Sequence, residues 1–414
     1  MTSTPDRVET TAPETPRLRL VLILGALIAL GPLTIDMYLP ALPIITDELA
    51  TTSATVQLTL TGTLLGLGLG QLVIGPLADA LGRKRPLLAG TALHVLASVL
   101  CLVAPNIAVL GTARLLQGLG AAAGAVIAMA IVRDLYTGRP AATLLSRLIL
   151  VMGAAPVIAP SLGSWMLSFT SWRGVFAALA LYALVLMPVA ARLLPETLPV
   201  ERRQAPSVRG TLRTYGRLFH DRTFVGLALV AGLTMSGMFG YISGASFVFQ
   251  EEFGLSQQQF ALAFSSGAIW LIGATQLNPV VLRRFEPRQI LSAAVATGAV
   301  AAALMLALAV AGAGLLGVLL PLWLALFAAG FALPNAPVVA LARHGETAGT
   351  AAALLGAMQF GIGAIVSPMV GVLGNDSVAM AAVIAGGLGL ALIVLVAVVR
   401  PWRLTDAEPV PSLV

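Results

Sequence analysis

The chain repeatedly runs for about 20 residues with almost no charged side chain, and this pattern restricts the fold more than any other feature. Of its 414 residues, 58% are hydrophobic and only 10% are charged. Soluble domains carry about 25% charged residues, so an ordinary soluble protein is excluded. A stretch of about 20 apolar residues is long enough to cross a lipid bilayer as a helix. The sequence therefore predicts an all-α integral membrane protein.

Charged residues, prolines and glycines divide the apolar runs into twelve predicted transmembrane helices. Their predicted bounds are 18–41, 53–77, 86–104, 107–132, 141–167, 172–194, 223–249, 257–281, 289–311, 315–341, 348–373 and 377–399. Six helices, one long hydrophilic connection and six more helices are the layout of two fused six-helix bundles. The predicted divisions are a disordered cytoplasmic tail, an N-terminal bundle, a cytoplasmic linker, a C-terminal bundle and a second cytoplasmic tail, at residues 1–17, 18–194, 195–222, 223–400 and 401–414.

The formal net charge is +6, which in a soluble chain would suggest a nucleic-acid partner. Most of the basic residues instead fall in connections on one side of a twelve-helix topology, including the Arg-rich linker and residues 83–85. Basic residues concentrate in the short cytoplasmic loops of membrane proteins. The distribution predicts a multi-pass protein of the bacterial inner membrane with both termini in the cytoplasm. Its surroundings are expected to be lipid and not nucleic acid.

One carboxylate, Asp36, interrupts the first apolar segment shortly before Pro40. An ionised acid within a membrane helix costs roughly 2.5–3.5 kcal/mol, and such residues are usually functional. At 1.5 Å per residue, Asp36 and Arg114 lie at a similar depth, about 10 Å below the outer surface. The two side chains could therefore form a direct or water-bridged pair. Asp36 would be the member that titrates, with a proton as the coupling ion. The alternative is a static ion pair that only orients the helices.

The turn between the second and third helices reads GPLADALGRKR from Gly75 onward and closely resembles the signature loop of the major facilitator superfamily. The resemblance implies that Asp79 meets the positive end of the eleventh helix. It also implies that Arg83 reaches an acid at the inner end of the fourth helix, for which Asp134 is the candidate. With Gly75 and Gly82 shaping the turn, these residues are expected to form an inner gating latch. A solvated basic loop that only orients the chain is the alternative.

Two other segments resemble motifs of the same superfamily. Arg114 and Gln117 belong to RLLQG on the fourth helix, which looks like its R-x-x-Q-G motif. On the fifth helix, GAAPVIAPSLG resembles the element associated with exporters. Its characteristic residues are Gly153, Pro156, Pro160 and Gly163. Ala159 and Ser164 replace glycines of that element, and a bent packing helix without directional meaning is the alternative.

Several segments together resemble the Bcr/CflA drug exporters, which are named for bicyclomycin and chloramphenicol resistance. They are DMYLPALP at 36–43, SFVFQ at 246–250, FGLS at 253–256, PNA at 334–336 and AAALLGAMQF at 351–360. The resemblance covers most of the chain and implies proton-driven export of small, varied antibiotics. Related multidrug exporters carry a second acid about two turns before the first, where this chain has Ile28. This departure argues against a stoichiometry above one proton.

Polar residues on the predicted core-facing segments are candidate ligand contacts. Together with Asp36 and Arg114, they are Tyr38, Gln117, Tyr241, Asn335 and Gln359. An aromatic and amide lining with one acid and one arginine suits neutral, amphiphilic ligands. Gln57 and Gln250 are equally well explained by interhelical hydrogen bonds. Asn335 lies between two prolines, where it can bond the carbonyls that they free.

The sequence contains no recognisable metal-ligand cluster, nucleophile triad or phosphate loop, so we expect neither enzymatic activity nor a cofactor. We expect a functional monomer that exports a small-molecule drug in exchange for protons by alternating access. The alternative is a proton-coupled symporter that imports a small metabolite.

Overall fold

The computed structural model describes residues 18–203, 208–342 and 348–403, and the regular structure in these ranges is helical. Twelve long helices form the fold. Their bounds are α1 Leu18–Asp36, α2 Ser53–Leu81, α3 Lys84–Leu102, α4 Ile107–Leu135, α5 Gly138–Leu167, α6 Trp172–Leu193, α7 Arg222–Phe247, α8 Gln257–Val281, α9 Pro287–Val310, α10 Gly314–Leu341, α11 Ala348–Val366 and α12 Ser377–Val394. Each lies in a segment long and apolar enough to cross a membrane. The prediction of an all-α protein with twelve membrane helices is confirmed.

The first segment is broken at its end, where the sequence predicts a continuous helix to residue 41. α1 stops at Asp36, and a 3-10 turn at Leu39–Ala41 and a short helix at Leu42–Glu48 continue the segment. The break follows from Pro40, which has no N–H to donate to the carbonyl four residues earlier. α7 also ends irregularly, in a π turn at Val248–Glu252. Both irregular ends lie at the same end of the molecule.

The second helix is longer than the sequence predicts, because Pro76 does not end it. α2 continues through Pro76 to Leu81 and stops at Gly82, whose φ of +87° lies in the region that favours glycine. α3 begins two residues later, with Pro86 in its first turn, where the missing N–H has no intrahelical partner to lose. The turn between the two helices is therefore very short.

The two halves of the chain repeat one packing pattern. In the first half, α1 packs on α5, α2 on α4 and α3 on α6. In the second half, α7 packs on α11, α8 on α10 and α9 on α12, which is the same set of pairs six helices later. The halves meet mainly along α2 with α11 and along α5 with α8. Such a repeat is common in transporters.

Two ends of the molecule are distinguished by their connections. The linker end carries the turn at Gly82 and the long connection after α6, whose helix Val208–His220 packs on α7 and α11. The far end carries the broken ends of α1 and α7 and the short turn between α11 and α12. Both names are used below in this sense.

The outer faces of the helices expose large apolar side chains. Examples from four different helices are Leu22, Leu96, Val300 and Ile365, each at least 62% exposed. A continuous apolar surface of this kind is suited to hydrocarbon and not to water. The protein is therefore a multi-pass membrane protein.

Helices α2 and α4 approach each other closely through glycines. A Cβ on Gly118 would lie 2.1 Å from the carbonyl oxygen of Thr63, and one on Gly66 would lie 2.1 Å from that of Leu115. Both glycines therefore let backbone pack directly on backbone. Small residues serve this purpose in membrane helix packing, where dispersion replaces the hydrophobic effect as the main attraction.

We expect Gly118→Ala to force α2 and α4 apart and to lower the free energy of unfolding by about 1–3 kcal/mol, the usual range for overpacking. Gly111→Ala in the same helix is the matched control, since a Cβ at Gly111 meets no atom within 4 Å. Thermal unfolding of the detergent-solubilised protein measures the difference. Equal stability of the two variants would contradict the packing described.

Candidate substrate and proton site

Asp36 lies where three helices converge, at the break that ends α1. Only 3% of the residue is exposed, and no residue in the described ranges forms a hydrogen bond or ion pair with its carboxylate. Tyr241 of α7 lies within electrostatic range of Asp36. Gly163 of α5 packs on the adjacent Met37, because a Cβ at that glycine would lie 2.1 Å from the carbonyl oxygen of Met37. The acid is thus buried and unpaired near the boundary between the halves.

Arg114 of α4 is fully buried inside the first half and is held by four neighbours. Its NH1 donates to the carbonyl oxygen of Thr34 at 2.8 Å and to Oε1 of Gln117 at 2.7 Å. The guanidinium lies over the ring of Tyr38, 4.5 Å from its centroid, and 5.6 Å from that of Phe176. Cation–π contacts of this kind stabilise a desolvated arginine.

The sequence left open an ion pair between Asp36 and Arg114, and this structure contains no direct pair. Depth along two helices does not fix the direction of a side chain, and the NH1 of Arg114 is engaged by Thr34 and Gln117 instead. The Nε and NH2 atoms of Arg114 are buried and have no hydrogen-bond partner in the part of the chain that the structure describes. These two donors lie on one edge of the guanidinium, the geometry that binds a carboxylate in a bidentate manner.

Residues of α3 complete a polar cluster around Arg114. Nε2 of Gln117 donates to Oγ of Ser98 at 2.8 Å, and Ser98 in turn donates to the carbonyl oxygen of His94 at 2.7 Å. His94 Nδ1 lies 3.1 Å from the carbonyl oxygen of Gln117. Ser98 is a further member of the site, beyond the residues that the sequence motifs indicate. The four-residue spacing from His94, which puts both on one face of α3, was the available signal.

Tyr38 is anchored within the first half. Its hydroxyl group lies 2.7 Å from the hydroxyl of Thr59 on α2, and the whole residue is buried. Its ring forms one wall for Arg114 and packs 5.5 Å from the ring of Phe176. Thr59 and Phe176 are further members of the site that the sequence did not reveal, since single threonine and phenylalanine residues are common in apolar helices.

The candidate ligand residues of the second half have different surroundings. Tyr241 stacks on Phe264 with ring centroids 4.9 Å apart, and its hydroxyl donates to the carbonyl oxygen of Phe264 at 3.4 Å. Gln359 of α11 is half-buried, and its amide has no hydrogen-bond partner among the residues that the structure describes. These two side chains are compatible with a ligand-facing position, although they lie on separate helices.

In this structure Asn335 makes hydrogen bonds to neighbouring protein groups, the interpretation that the sequence allowed beside a ligand contact. Its Nδ2 donates to Oδ1 of Asn278 at 2.7 Å and to the carbonyl oxygen of Phe331 at 2.8 Å. Residue 335 is 1% exposed. The asparagine therefore ties α10 to α8 and bonds a carbonyl of its own helix beside the flanking prolines.

Arg83 joins the ends of α2 and α4 at the linker end. Its Nε and NH2 bind the two carboxylate oxygens of Asp134 at 2.8 and 3.2 Å, and its NH1 binds Asp79 at 2.5 Å. Burial lowers the pKa of Arg83, but hydrogen bonds and charges from Asp134 and Asp79 outweigh it and hold that pKa above its ordinary value. The contact between Arg83 and Asp134 that the motif implies is present.

Asp79 is engaged by Arg83, and the described part of α11 supplies no hydrogen bond to it. Residues 343–347, which precede α11, lie outside the described residues. Gly82 has no room for a side chain, since a Cβ there would lie 2.5 Å from Oε2 of Glu196. A Cβ on Gly75 would meet no atom within 4 Å, so its role is not a steric one in this structure.

The beginning of the linker is bound to the turn that carries Arg83. Glu196 accepts hydrogen bonds from the backbone N–H groups of Arg83, Lys84 and Leu198 at 2.8–3.1 Å. Burial raises the pKa of Glu196, but the hydrogen bonds from these N–H groups and the charge of Arg203 lower it by more. The pKa of Glu196 therefore lies below its ordinary value. The carboxylate thereby occupies the N-terminus of α3, where free N–H groups favour an anion.

Helix α5 is connected to α8 across the boundary between the halves. Ser164 donates to the carbonyl oxygen of Gln257 at 2.9 Å, and Ser265 donates to that of Val157 at 2.6 Å. Val157 lies between the motif prolines, Pro156 and Pro160, within α5. Gly153 faces Ile272, because a Cβ at that glycine would lie 3.2 Å from its side chain. Gly153 and the segment between the two prolines thus lie at a contact between the two halves, whereas Gly163 packs on Met37 of the first half.

We expect Arg83→Lys to lower the free energy of unfolding by about 1.5–3 kcal/mol, because lysine cannot replace the two-point contact with Asp134. Arg85→Lys is the matched control, because Arg85 is exposed in the same turn. Thermal unfolding and the rate of tryptic cleavage in the linker measure the effect. Identical behaviour of both variants would show that the contacts of Arg83 do not contribute to stability.

Comparison with known proteins identifies the family. The family described as Major Facilitator Superfamily matches residues 23–368. An uncharacterised MFS-type transporter, YdgK of Bacillus subtilis, is 38% identical over 89% of this chain and 92% of its own length. A chloramphenicol resistance protein of Pseudomonas aeruginosa is 32% identical over 81% of this chain and 79% of its own length.

A solved structure of similar fold is the xylose transporter XylE of E. coli in a partially occluded inward open conformation. It superposes with a TM-score of 0.72 at 13% identity, covering 95% of this chain and 98% of that one, and this likeness concerns the fold alone. The family match, the relatives and the twelve-helix architecture agree with the resemblance that the motifs carry. The chain belongs to the Major Facilitator Superfamily, and its resemblance to the drug exporters of that superfamily is confirmed.

Proposed function

We propose that this protein is a proton-coupled antiporter that exports small amphiphilic drugs from a bacterial cell by alternating access. The observation that carries the proposal is the unpaired carboxylate of Asp36, buried near the boundary between the halves. The relative named for chloramphenicol resistance supports a drug as the cargo. The protein acts as a monomer in the inner membrane and uses the proton as its coupling ion.

An unpaired buried acid can gain or lose a proton without breaking an ion pair. An ionised acid in apolar surroundings is costly, so Asp36 needs a proton, a polar or cationic cargo group, or water. Proton and cargo therefore compete for one carboxylate. Protonation from outside releases the drug, and deprotonation inside restores affinity for the next one.

The position of Asp36 makes it sensitive to the movement of the halves. It lies beside the broken end of α1, next to the Gly163 contact with α5 and within range of Tyr241 on α7. Rocking of the second half would change the surroundings of the carboxylate directly. The half-buried, unbonded amide of Gln359 is a candidate for the opposite side of the ligand site.

Arg114 is proposed as a fixed positive charge that binds an electron-rich group of the ligand or neutralises Asp36 in another state. Its two unpartnered donors support this role, because a planar nitro or carboxylate group matches their geometry. Gln117 and Tyr38 hold the guanidinium in place. Neutral ligands with nitro, amide or hydroxyl groups fit this set of contacts.

The linker end is proposed to face the cytoplasm, together with both termini. Most of the 24 basic residues support this orientation, because the Arg-rich linker and the turn at residues 82–85 lie at that end. The Asp79, Arg83 and Asp134 contacts then form the part of an inner latch that the first half contributes. Pro156, Pro160 and Gly163 of α5 belong to the segment that resembles the element associated with exporters, and they support export as the direction of transport.

We expect Asp36→Asn to fold and insert normally but to lose drug-induced proton movement in everted vesicles, down to the level of empty vesicles. The matched control is Asp47→Asn, which removes an exposed carboxylate from the same segment. Dequenching of a pH-sensitive dye after addition of chloramphenicol is the measurement. Unchanged proton movement in Asp36→Asn would remove this residue from the mechanism.

Expression in a bacterial strain that lacks its own pumps tests the direction of transport. We expect resistance to phenicols or bicyclomycin, and a protonophore should raise the amount of drug that accumulates in the cells. Lipophilic cations are expected to be poorer substrates, since only one acid faces the ligand. A protonophore that lowers accumulation would instead identify a proton symporter that imports its substrate.

A further inference from the structure

Among the described residues, the hydrogen bonds that join the two halves lie toward the far end. Ser246 of α7 donates to the carbonyl oxygen of Leu39 at 2.7 Å, and Thr61 of α2 donates to that of Ala364 at 2.9 Å. The Ser164 and Ser265 bonds described above belong to the same set. The ion pairs found in the described ranges each join residues of the same half or of the linker. The contacts that hold the two halves together at the far end are therefore made by neutral groups.

Gln57 of α2 makes the most extensive of these connections. Its Nε2 donates to the carbonyl oxygen of Ser243 at 3.2 Å and to Oδ1 of Asn375 at 3.0 Å, and its Oε1 accepts from the N–H of Gly371 at 2.8 Å. The residue is fully buried. One side chain thus holds α7 and two positions that follow α11.

The contact of α2 with α11 continues from Gln57 toward the linker end through small residues. Thr61 bonds Ala364, and a Cβ on Gly68 would lie 3.4 Å from the carbonyl oxygen of Ala357. We call this line of contacts the α2–α11 seam. Because glycine and alanine dominate its middle, little side-chain interlocking resists a change in the angle between the two helices.

Gln71 lies at the other end of the seam. Its side chain packs over Gly356 of α11, since a Cβ at that glycine would lie 1.8 Å from Oε1 of Gln71. No residue in the described chain forms a hydrogen bond with the amide of Gln71, which is half-buried. About 21 Å of helix separates positions 57 and 71. The seam therefore has one glutamine that is hydrogen-bonded across it and one that contacts α11 without a hydrogen bond among the described residues.

We propose that Gln57 and Gln71 are alternating clamps of the α2–α11 seam. Gln57 holds the far end closed in the present structure. When the far end opens, Gln57 releases its three partners, and the amide of Gln71, which already packs on Gly356, forms a hydrogen bond with α11 at the linker end. Helical carbonyl oxygens have a second lone pair for this purpose, as Ala364 shows with Thr61. The inference rests on the alternating access of the proposed function, but not on its proton coupling or its drug.

Distances between spin labels at the two ends test the clamps without a transport assay. In a Cys101→Ala background, one pair is placed at the far end on exposed residues 168 and 311, and the other at the linker end on exposed residues 85 and 284. We expect Gln57→Met to shift the ratio of far-end-closed to far-end-open molecules about tenfold toward open. This shift corresponds to about 1.4 kcal/mol.

Gln71→Met is expected to shift the ratio in the opposite direction, because it weakens only the linker-end-closed state. Gln57→Asn keeps the amide on a side chain that is one carbon shorter, so it should shift the ratio in the same direction as Gln57→Met. It replaces Gln57→Met in the test if that variant does not fold. Thr112→Val is the control, since Thr112 is exposed and bonds only the carbonyl oxygen of Ala108 in its own helix.

Two results would overturn the inference while leaving alternating access intact. One is a wild-type protein with two populations that Gln57→Met leaves in their original ratio. The other is a shift in the same direction for Gln57→Met and Gln71→Met. A wild-type protein with a single distance at each end, with or without drug and at every pH, would overturn the proposed transport cycle and the clamps together.

Discussion

The high free energy of a charge in an apolar interior governs how the centre of this protein is built. Arg114 meets this constraint with a backbone carbonyl, an amide oxygen and two aromatic rings, so its charge is fixed in place. Asp36 has no hydrogen-bond or ion-pair partner among the residues that the structure describes. The contrast divides the site into a permanent part inside the first half and a changeable part near the boundary, which is the arrangement that a coupled transporter requires.

Much of the fold follows from hydropathy, because a lipid bilayer permits few structures. Every backbone polar group must be bonded internally, so a run of about 20 apolar residues becomes a helix. The breaks are harder to predict. Pro40 ends a helix and Pro76 does not, since the effect of proline depends on whether neighbouring groups take up the freed carbonyl. The π turn after α7 has no proline to indicate it.

The candidate site was predictable where residues form local motifs and not where they meet across helices. The pairing of Arg83 with Asp134 could be inferred because a loop motif fixes its geometry. The partners of Arg114 could not, because equal depth leaves the direction of each side chain open. Asn335 shows the same difficulty, since an amide beside prolines is chemically suited both to a ligand and to its neighbour Asn278. The packing of α8 on α10 brings Asn278 within hydrogen-bond distance, and the sequence carries no signal for that contact.

The use of main-chain acceptors at the far end has a consequence for how the protein can vary. Leu39, Val157, Ser243, Gln257 and Ala364 take part in the closure through their carbonyl oxygens, which every amino acid carries. Side chains at these positions can therefore be exchanged for others of similar size while the acceptors remain. The hydrogen bonds that close the far end are therefore insensitive to side-chain identity at these five acceptor positions.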